Sequence, residues 1–264
     1  MLEMHDAPGT CRGPPVKQLD TGLCLDHEFA DSHLFSMSTW NIQGKMVSEA
    51  LLVLEDCLHD FNIVSFQEVS GCHGLLSKSS HYFCGDVGSS MSCLYARPTA
   101  CFRPLALAFE PETSWDRVHV GHSHVSVRLR FKELKHPVLW VCAHLPHMSR
   151  SLDDLSLAVD SVVQDISPWL DKQIPIVLAG DLNYPLCGDV GQRAVMVQQL
   201  CSMLGLQFYS CNPSSSRSSG VRRLDHVALN GAFQQQCLCQ DVQELSSLTC
   251  AFESYHWDVQ AALG

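Results

Sequence analysis

Two β-sheets packed face to face, with helices on their outer sides, is the architecture this sequence predicts. Three observations lead there. Apolar runs of strand length recur along the chain, two stretches carry a clear helical period, and the middle of the chain alternates apolar and polar residues as half-buried antiparallel strands do. A plain β–α–β series would lack that alternating middle, whereas a pair of packed sheets accommodates it. The chain has 264 residues, 46% hydrophobic and 17% charged, enough for one large domain with a sizeable core.

Residues 1–33 contain Pro8, Pro14 and Pro15 and no apolar period, and read as a disordered tail before a domain over 34–264. Leu34 to Trp40 is the first predicted strand. Val47, Leu51, Leu54 and Leu58 recur at helical spacing, so Val47 to His59 is a helix, with Ser48 and Glu49 favouring its first turn. Ile63 to Phe66 is a buried strand, Ser70 to Ser80 a loop, and Ser92 to Ala96 a short strand stopped by Pro98. Val118 and Val120, then Val125, Val127, Leu129 and Phe131, alternate as antiparallel strands. Val138 to Ala143 is an apolar strand ending at His144.

Leu152, Leu155, Val159, Val162, Ile166 and Leu170 form one stripe, which predicts a helix over Leu152–Leu170 with Ser151 as N-cap. Ile176 to Ala179 is a strand running into Gly180-Asp181. Gln192 to Leu204 is a helix stopped by Gly205, and Pro213 to Gly220 a Ser-rich loop. Leu224–Leu229 and Tyr255–Ala261 are the last predicted strands.

The net charge of −11 argues against a passive nucleic-acid binder, which presents a basic face. It is compatible with an enzyme on phosphodiesters, because carboxylates gathered around a cation have their local charge reversed by it. None of the 14 cysteines forms a Cys-x-x-Cys pair, so they read as reduced core cysteines and not as a zinc site. The N-terminus has no basic-then-apolar signal segment. No apolar run reaches the roughly 18–20 residues that span a bilayer. The expectation is a monomer without membrane association, intracellular (nuclear or cytoplasmic) and not secreted.

Polar residues sit at or near the ends of these strands: Asn41, Glu68, His144, Asp181 with Asn183, Asp225 and His256. Strand ends of packed sheets come together in space, so one pocket can hold all of them. Their chemistry suits metal-assisted phosphodiester hydrolysis. Glu68 and Asn41 offer the hard oxygens that Mg²⁺ prefers. His256 can take a proton from water while Asp225 fixes its tautomer. Asp181 and Asn183 can position that water, and His144 can donate to a non-bridging phosphate oxygen. Each residue alone has a plainer role: Gly-Asp-Leu-Asn is a common turn, and a lone histidine or glutamate is usually structural or solvated.

In order, Trp40-Asn41-Ile42, Phe66-Gln67-Glu68, Ala143-His144-Leu145, Gly180-Asp181-Leu182-Asn183, Arg223-Leu224-Asp225 and Ser254-Tyr255-His256 resemble the motifs of the endonuclease/exonuclease/phosphatase superfamily. The resemblance runs from about Ser38 to Val259. It implies a four-layer α/β sandwich, two mixed β-sheets flanked by helices, that depends on Mg²⁺ or Mn²⁺. It also implies metal binding by Asn41 and Glu68, phosphate contact by His144, water positioning by Asp181 and Asn183, and a base dyad of Asp225 and His256. The family's last motif reads Ser-Asp-His, and here Tyr255 replaces the acid. A protonated phenol is a poor ligand for a hard cation, so the departure implies lower metal affinity. Asp258 lies two residues beyond His256.

Within the family, the chain is nearest in character to retrotransposon-type endonuclease domains, because the Gly88-Ser89-Ser90 stretch lacks the active-site tyrosine that some relatives carry near there. The expected activity is therefore a nuclease on DNA or RNA, with Arg222 and Arg223, and beside them Arg217 and Arg97, contacting substrate phosphates. The alternatives are an inositol-phosphate or phospholipid phosphatase, disfavoured because no Lys or Arg follows Asn183 until Arg193, and a catalytically impaired binding module, motivated by Tyr255.

Overall fold

The apolar runs fold into strands β1 (Phe35–Asn41), β2 (Ile63–Gln67), β3 (Tyr82–Val87), β4 (Met91–Ala96), β5 (Leu105–Phe109), β6 (Ser114–Val120), β7 (His124–Arg130), β8 (Val138–His144), β9 (Ile176–Asp181), β10 (Leu206–Tyr209), β11 (Asp225–Asn230) and β12 (Cys250–His256). The helices are α1 (Val47–Cys57), α2 (Leu152–Leu170), α3 (Gln192–Met203) and the single turn α4 (Gly231–Phe233). This is a computed structural model, and it describes residues 35–57, 61–70, 81–87, 91–132, 134, 136–184, 191–209, 224–233 and 250–256. The expected tail over 1–33, most of the Ser70–Ser80 loop, Gly88–Ser90, the Pro213–Gly220 loop, Arg217, Arg222, Arg223 and Asp258 lie outside the described residues.

The strands form two six-stranded sheets, in the orders β12-β1-β2-β5-β4-β3 and β10-β11-β9-β8-β7-β6. Both sheets are mixed: β1 runs parallel to β12 and β2, and β8 parallel to β9, while the other neighbours are antiparallel. Between the sheets, Met37, Ile63, Leu105, Leu107 and Phe109 meet Val125, Val127, Trp140, Val177 and Val227 in one core. On the outer face of the first sheet, Val47, Ala50 and Leu51 of α1 pack on Trp40, Val64, Phe66, Ala106 and Ala108. On the outer face of the second, Leu155, Ala158, Val159, Val162 and Ile166 of α2, with Val197 and Leu200 of α3, cover Leu139, Val141, Ile176 and Leu178. The layers are helix, sheet, sheet, helix. Among the described residues no helix is long and apolar enough to cross a membrane.

The helix predictions agree with the observed elements to within about two residues at their ends. Ser151 caps α2: its side chain accepts from Asp154 N–H and Asp154 returns the bond, a capping box. Gly205, φ +60°, ends the segment after α3, where left-handed backbone favours glycine. Three strands were not expected. β5 is the most instructive, because all five residues of Leu-Ala-Leu-Ala-Phe are buried and no polar face marks a period. Its leucines and Phe109 face the other sheet, and its small alanines let α1 approach. β3 and β10 are each an edge strand, of the first and second sheet respectively. Two predicted strands are shifted: β11 starts at Asp225 and continues to Asn230, and β12 covers Cys250–His256 where Tyr255–Ala261 was expected. Residues 257–261 lie outside the described residues.

Candidate active site

The interface between the sheets turns polar toward one end. Gln67 Nε2 donates to Thr39 Oγ1 at 3.1 Å and to Cys142 Sγ at 3.4 Å, tying β1, β2 and β8 together. Trp140 Nε1 donates to Ser65 Oγ at 2.7 Å across the two sheets. Buried polar groups must be satisfied, and a satisfied network rigidifies what stands on it. Glu68 follows Gln67 directly, so its position rests on this network.

Above it opens a cleft of about 840 Å³, lined by Asn41, Glu68, His144, Asp181 and Asn183 among others. Asn41 Nδ2 donates to Glu68 Oε1 at 3.1 Å and to Asp181 Oδ2 at 2.9 Å. One amide nitrogen thus joins carboxylates that are far apart in sequence and belong to different sheets. Asn41 Oδ1 accepts from Gln43 N–H at 3.0 Å. His144 Nε2 stands 3.7 Å from Glu68 Oε1 and 4.0 Å from Asp181 Oδ2. Asp181 Oδ1 accepts from Asn183 N–H at 2.8 Å, and Asn183 Nδ2 donates to Leu145 O at 2.8 Å.

The register brings these groups side by side. His144 pairs with Asp181 across β8 and β9, and Asp225 pairs with Asp181 across β11 and β9. Gly180, opposite Ala143, makes the first pairing possible: a Cβ there would lie 1.9 Å from Ala143 O. Left-handed φ values at non-glycine residues are costly and gather at functional sites. The described chain has four, and three of them, Gln43, Glu68 and Asn183, line this cleft.

Of the predicted residues, Asn41, Glu68, His144, Asp181 and Asn183 come together on the cleft wall. Asp225 is fully buried and is not among the lining residues. His256 is placed by its backbone alone: its Cα pairs with that of Asn41, as that of Tyr255 pairs with Trp40. Arg97 does not line the cleft. The arginines that do are Arg103 and Arg150, which sequence reading missed. Arg103 covers Gly44, whose φ of +87° and missing side chain make room for the guanidinium. Phe102, 91% exposed, stands at the rim. A solvated Phe-Arg pair in a loop after Pro98 was the available signal. Cys101 also lines the cleft. Burial, then the neighbouring Cys142 and Glu68, push its thiol pKa up to about 12. Burial thus disfavours the thiolate, the form that acts as a nucleophile.

No protein-family model and no curated protein sequence matches this chain. Solved structures do. The endonuclease domain of TRAS1, a telomere-specific non-LTR retrotransposon, superposes with a TM-score of 0.52 at 14% identity, over 72% of this chain and 82% of its own. The 3′ phosphatase NExo from Neisseria, bound to a product DNA hairpin, gives 0.53 at 12% identity, over 75% and 87%. This is the endonuclease/exonuclease/phosphatase fold. The four-layer sandwich implied by the six sequence motifs is thus the one observed. At these identities the likeness establishes the fold alone.

Proposed function

We propose that this chain is a divalent-metal-dependent phosphodiesterase, a nuclease that hydrolyses DNA or RNA by attack of water. The observation that carries this reading is the convergence of Glu68, Asp181 and Asn41, from three strands, on one point of the cleft beside His144. Two carboxylates aimed at one small region repel each other unless a cation or strong donors lie between them. The donor set is hard, carboxylate and amide oxygen, and fits Mg²⁺ or Mn²⁺ better than softer metals. Glu68 and Asn41 would hold the ion, and bound there it would supply Lewis acidity toward a phosphoryl oxygen.

The chain's own groups supply the rest. Asp181 accepts a hydrogen bond from the attacking water, and Asn183 helps to aim it. His256 takes the proton that water loses, and Asp225 holds the imidazole in the tautomer that can accept it. His144 donates from Nε2 to the non-bridging oxygen on which charge grows. The raised pKa of Cys101 argues against a thiol route at the same wall.

Phe102 supports a nucleic acid over an inositol phosphate. An exposed aromatic ring at the rim, next to Arg103, suits a base stacked beside its own phosphate. Tyr255 supports a second reading, an impaired enzyme that retains binding.

The deciding experiment is plasmid nicking and oligonucleotide cleavage with Mg²⁺, Mn²⁺ or chelator, beside Glu68→Ala and His256→Ala. Metal-dependent cleavage lost in both variants is the expected result. Hydrolysis of inositol phosphates without cleavage of DNA or RNA would replace the nuclease reading, and inactivity on all substrates would leave the binding module. A gain on Tyr255→Asp would mark the tyrosine as a defect of the metal site.

A further inference from the structure

A second cluster of metal-ligating groups lies on the outer side of the second sheet, under α2. His119 of β6, His124 of β7 and Asp165 of α2 each offer a ligand atom, and the three atoms lie within 4.8 Å of one another. We propose that these residues form a transition-metal site, best suited to Zn²⁺, separate from the candidate active site. The inference does not rest on the proposed nuclease activity.

Four features support it. The first is spacing. In a tetrahedral zinc site with bonds of about 2.0–2.1 Å, neighbouring ligand atoms stand about 3.3 Å apart. His124 Nε2 and Asp165 Oδ2 are already 3.2 Å apart. The second is the support around the carboxylate. Arg117 Nη2 donates to the other oxygen, Oδ1, at 2.7 Å, and Ser126 Oγ donates to Oδ2, whose remaining lone pair faces His124 Nε2, so that an ion would enter between the two. Hydrogen bonds of this kind fix metal-binding carboxylates in orientation.

The third feature is the unexplained cost of His124. Its ring is fully buried and packed over Gly121, and its Nδ1 has no hydrogen-bond partner. A buried polar atom left unmatched costs about 1–3 kcal/mol. A metal bond at Nε2 would not pair that atom, but it would add binding energy that offsets the cost of burying the ring. The fourth is access. His119 is exposed, and together with Asp165 it borders a second cleft of about 540 Å³. Three protein ligands with solvent on one side leave a fourth position for water, as in open zinc sites. Two imidazoles and a single carboxylate select zinc over Mg²⁺, which prefers oxygen. Bound there, the ion would fasten the β6–β7 hairpin to α2.

The test uses metal-free protein titrated with Co²⁺, whose visible d–d bands report tetrahedral coordination, followed by displacement with Zn²⁺. One equivalent per chain should give tetrahedral bands, and those bands should persist in Glu68→Gln, which alters only the ion site proposed in the first cleft. The variant to compare is His119→Ala, since an exposed side chain can be removed without unfolding the chain. Affinity should fall at least about 100-fold, because loss of an outer-shell partner alone costs about 10–100-fold. A thermal-shift series gives an independent readout: Zn²⁺ should raise the Tm of the parent and not that of His119→Ala. Absence of d–d bands, unchanged uptake in His119→Ala, or a sulfur-to-cobalt charge-transfer band showing that cysteines hold the ion would each overturn the proposal.

Discussion

The cleft and the cluster beneath α2 are assembled from the same kinds of side chain, histidines and carboxylates brought together from separate elements, yet their surroundings differ. In the cleft, Glu68 and Asp181 share the amide of Asn41 and face His144 across 3.7 and 4.0 Å, distances too long for direct hydrogen bonds. Three neighbouring residues have left-handed backbone. Beneath α2, Asp165 is buried and accepts short bonds from Arg117 and Ser126. The difference shows how one chemistry serves two ends. Glu68, whose side chain keeps 33% exposure, and the buried Asp181 meet at an uncharged amide, while Asp165, with its own arginine, contributes to folding even without a ligand.

The contrast predicts a separation of effects. His144→Ala should lower turnover by about 10²–10³-fold, the cost of one donor to a developing phosphate charge, with little change in Tm. Parallel kinetics and thermal melts check this, and a large loss of stability would move His144 into the structural class.

Asp165→Asn should do the reverse, costing about 3 kcal/mol of stability while leaving cleavage nearly intact. The magnitude sits at the low end for a broken buried pair because the Arg117 side chain keeps 31% exposure. The pH dependence has a definite sign. The folded-state pKa of Asp165 lies below its unfolded value, so the ionised form favours folding. Arg117, His119 and His124 face it and favour that form. Its contribution is complete above about pH 4 and is lost as the pH falls further. Chemical denaturation in chelator at neutral pH and near pH 3 should therefore show the gap between parent and variant shrinking in acid.

Gly180→Ala tests whether the cleft depends on strand pairing. The added Cβ meets Ala143 O at 1.9 Å, so about 2–3 kcal/mol of stability should be lost as overpacking. Activity should fall with it, since the pairing that sets His144 beside Asp181 is one residue away. Wild-type turnover in this variant would show that the pairing does not position the cleft.

The smallest effect is expected at the rim. Phe102→Ala should weaken oligonucleotide binding by about 1–3 kcal/mol, the value of one stacked base. The change should appear in KM and not in kcat, with Tm unmoved, because the ring is 91% exposed. Equal KM values for parent and variant would remove the main support for a nucleic-acid substrate.

Much of this was legible in the sequence for local reasons. The α2 stripe with Ser151 and Asp154 at its start specifies that helix through side-chain period and capping. The apolar runs ending at Asn41, His144 and Asp181 specify strands and the polar residues at their ends. What escaped detection depends on neighbours distant in the chain. β5 has no period because it is covered on both faces, and covering is a property of the packed layers. Asp165 interrupts the buried face of α2, and no local pattern indicates that His119, His124, Ser126 and Arg117 will meet it there. The sequence by itself thus determined the element types and the six motifs. The tertiary structure decided which carboxylates share a donor, which has an arginine, and which glycine permits the pairing. Side-chain period and capping act over a few residues, whereas distances between charges are set only when sheets and helices close on one another.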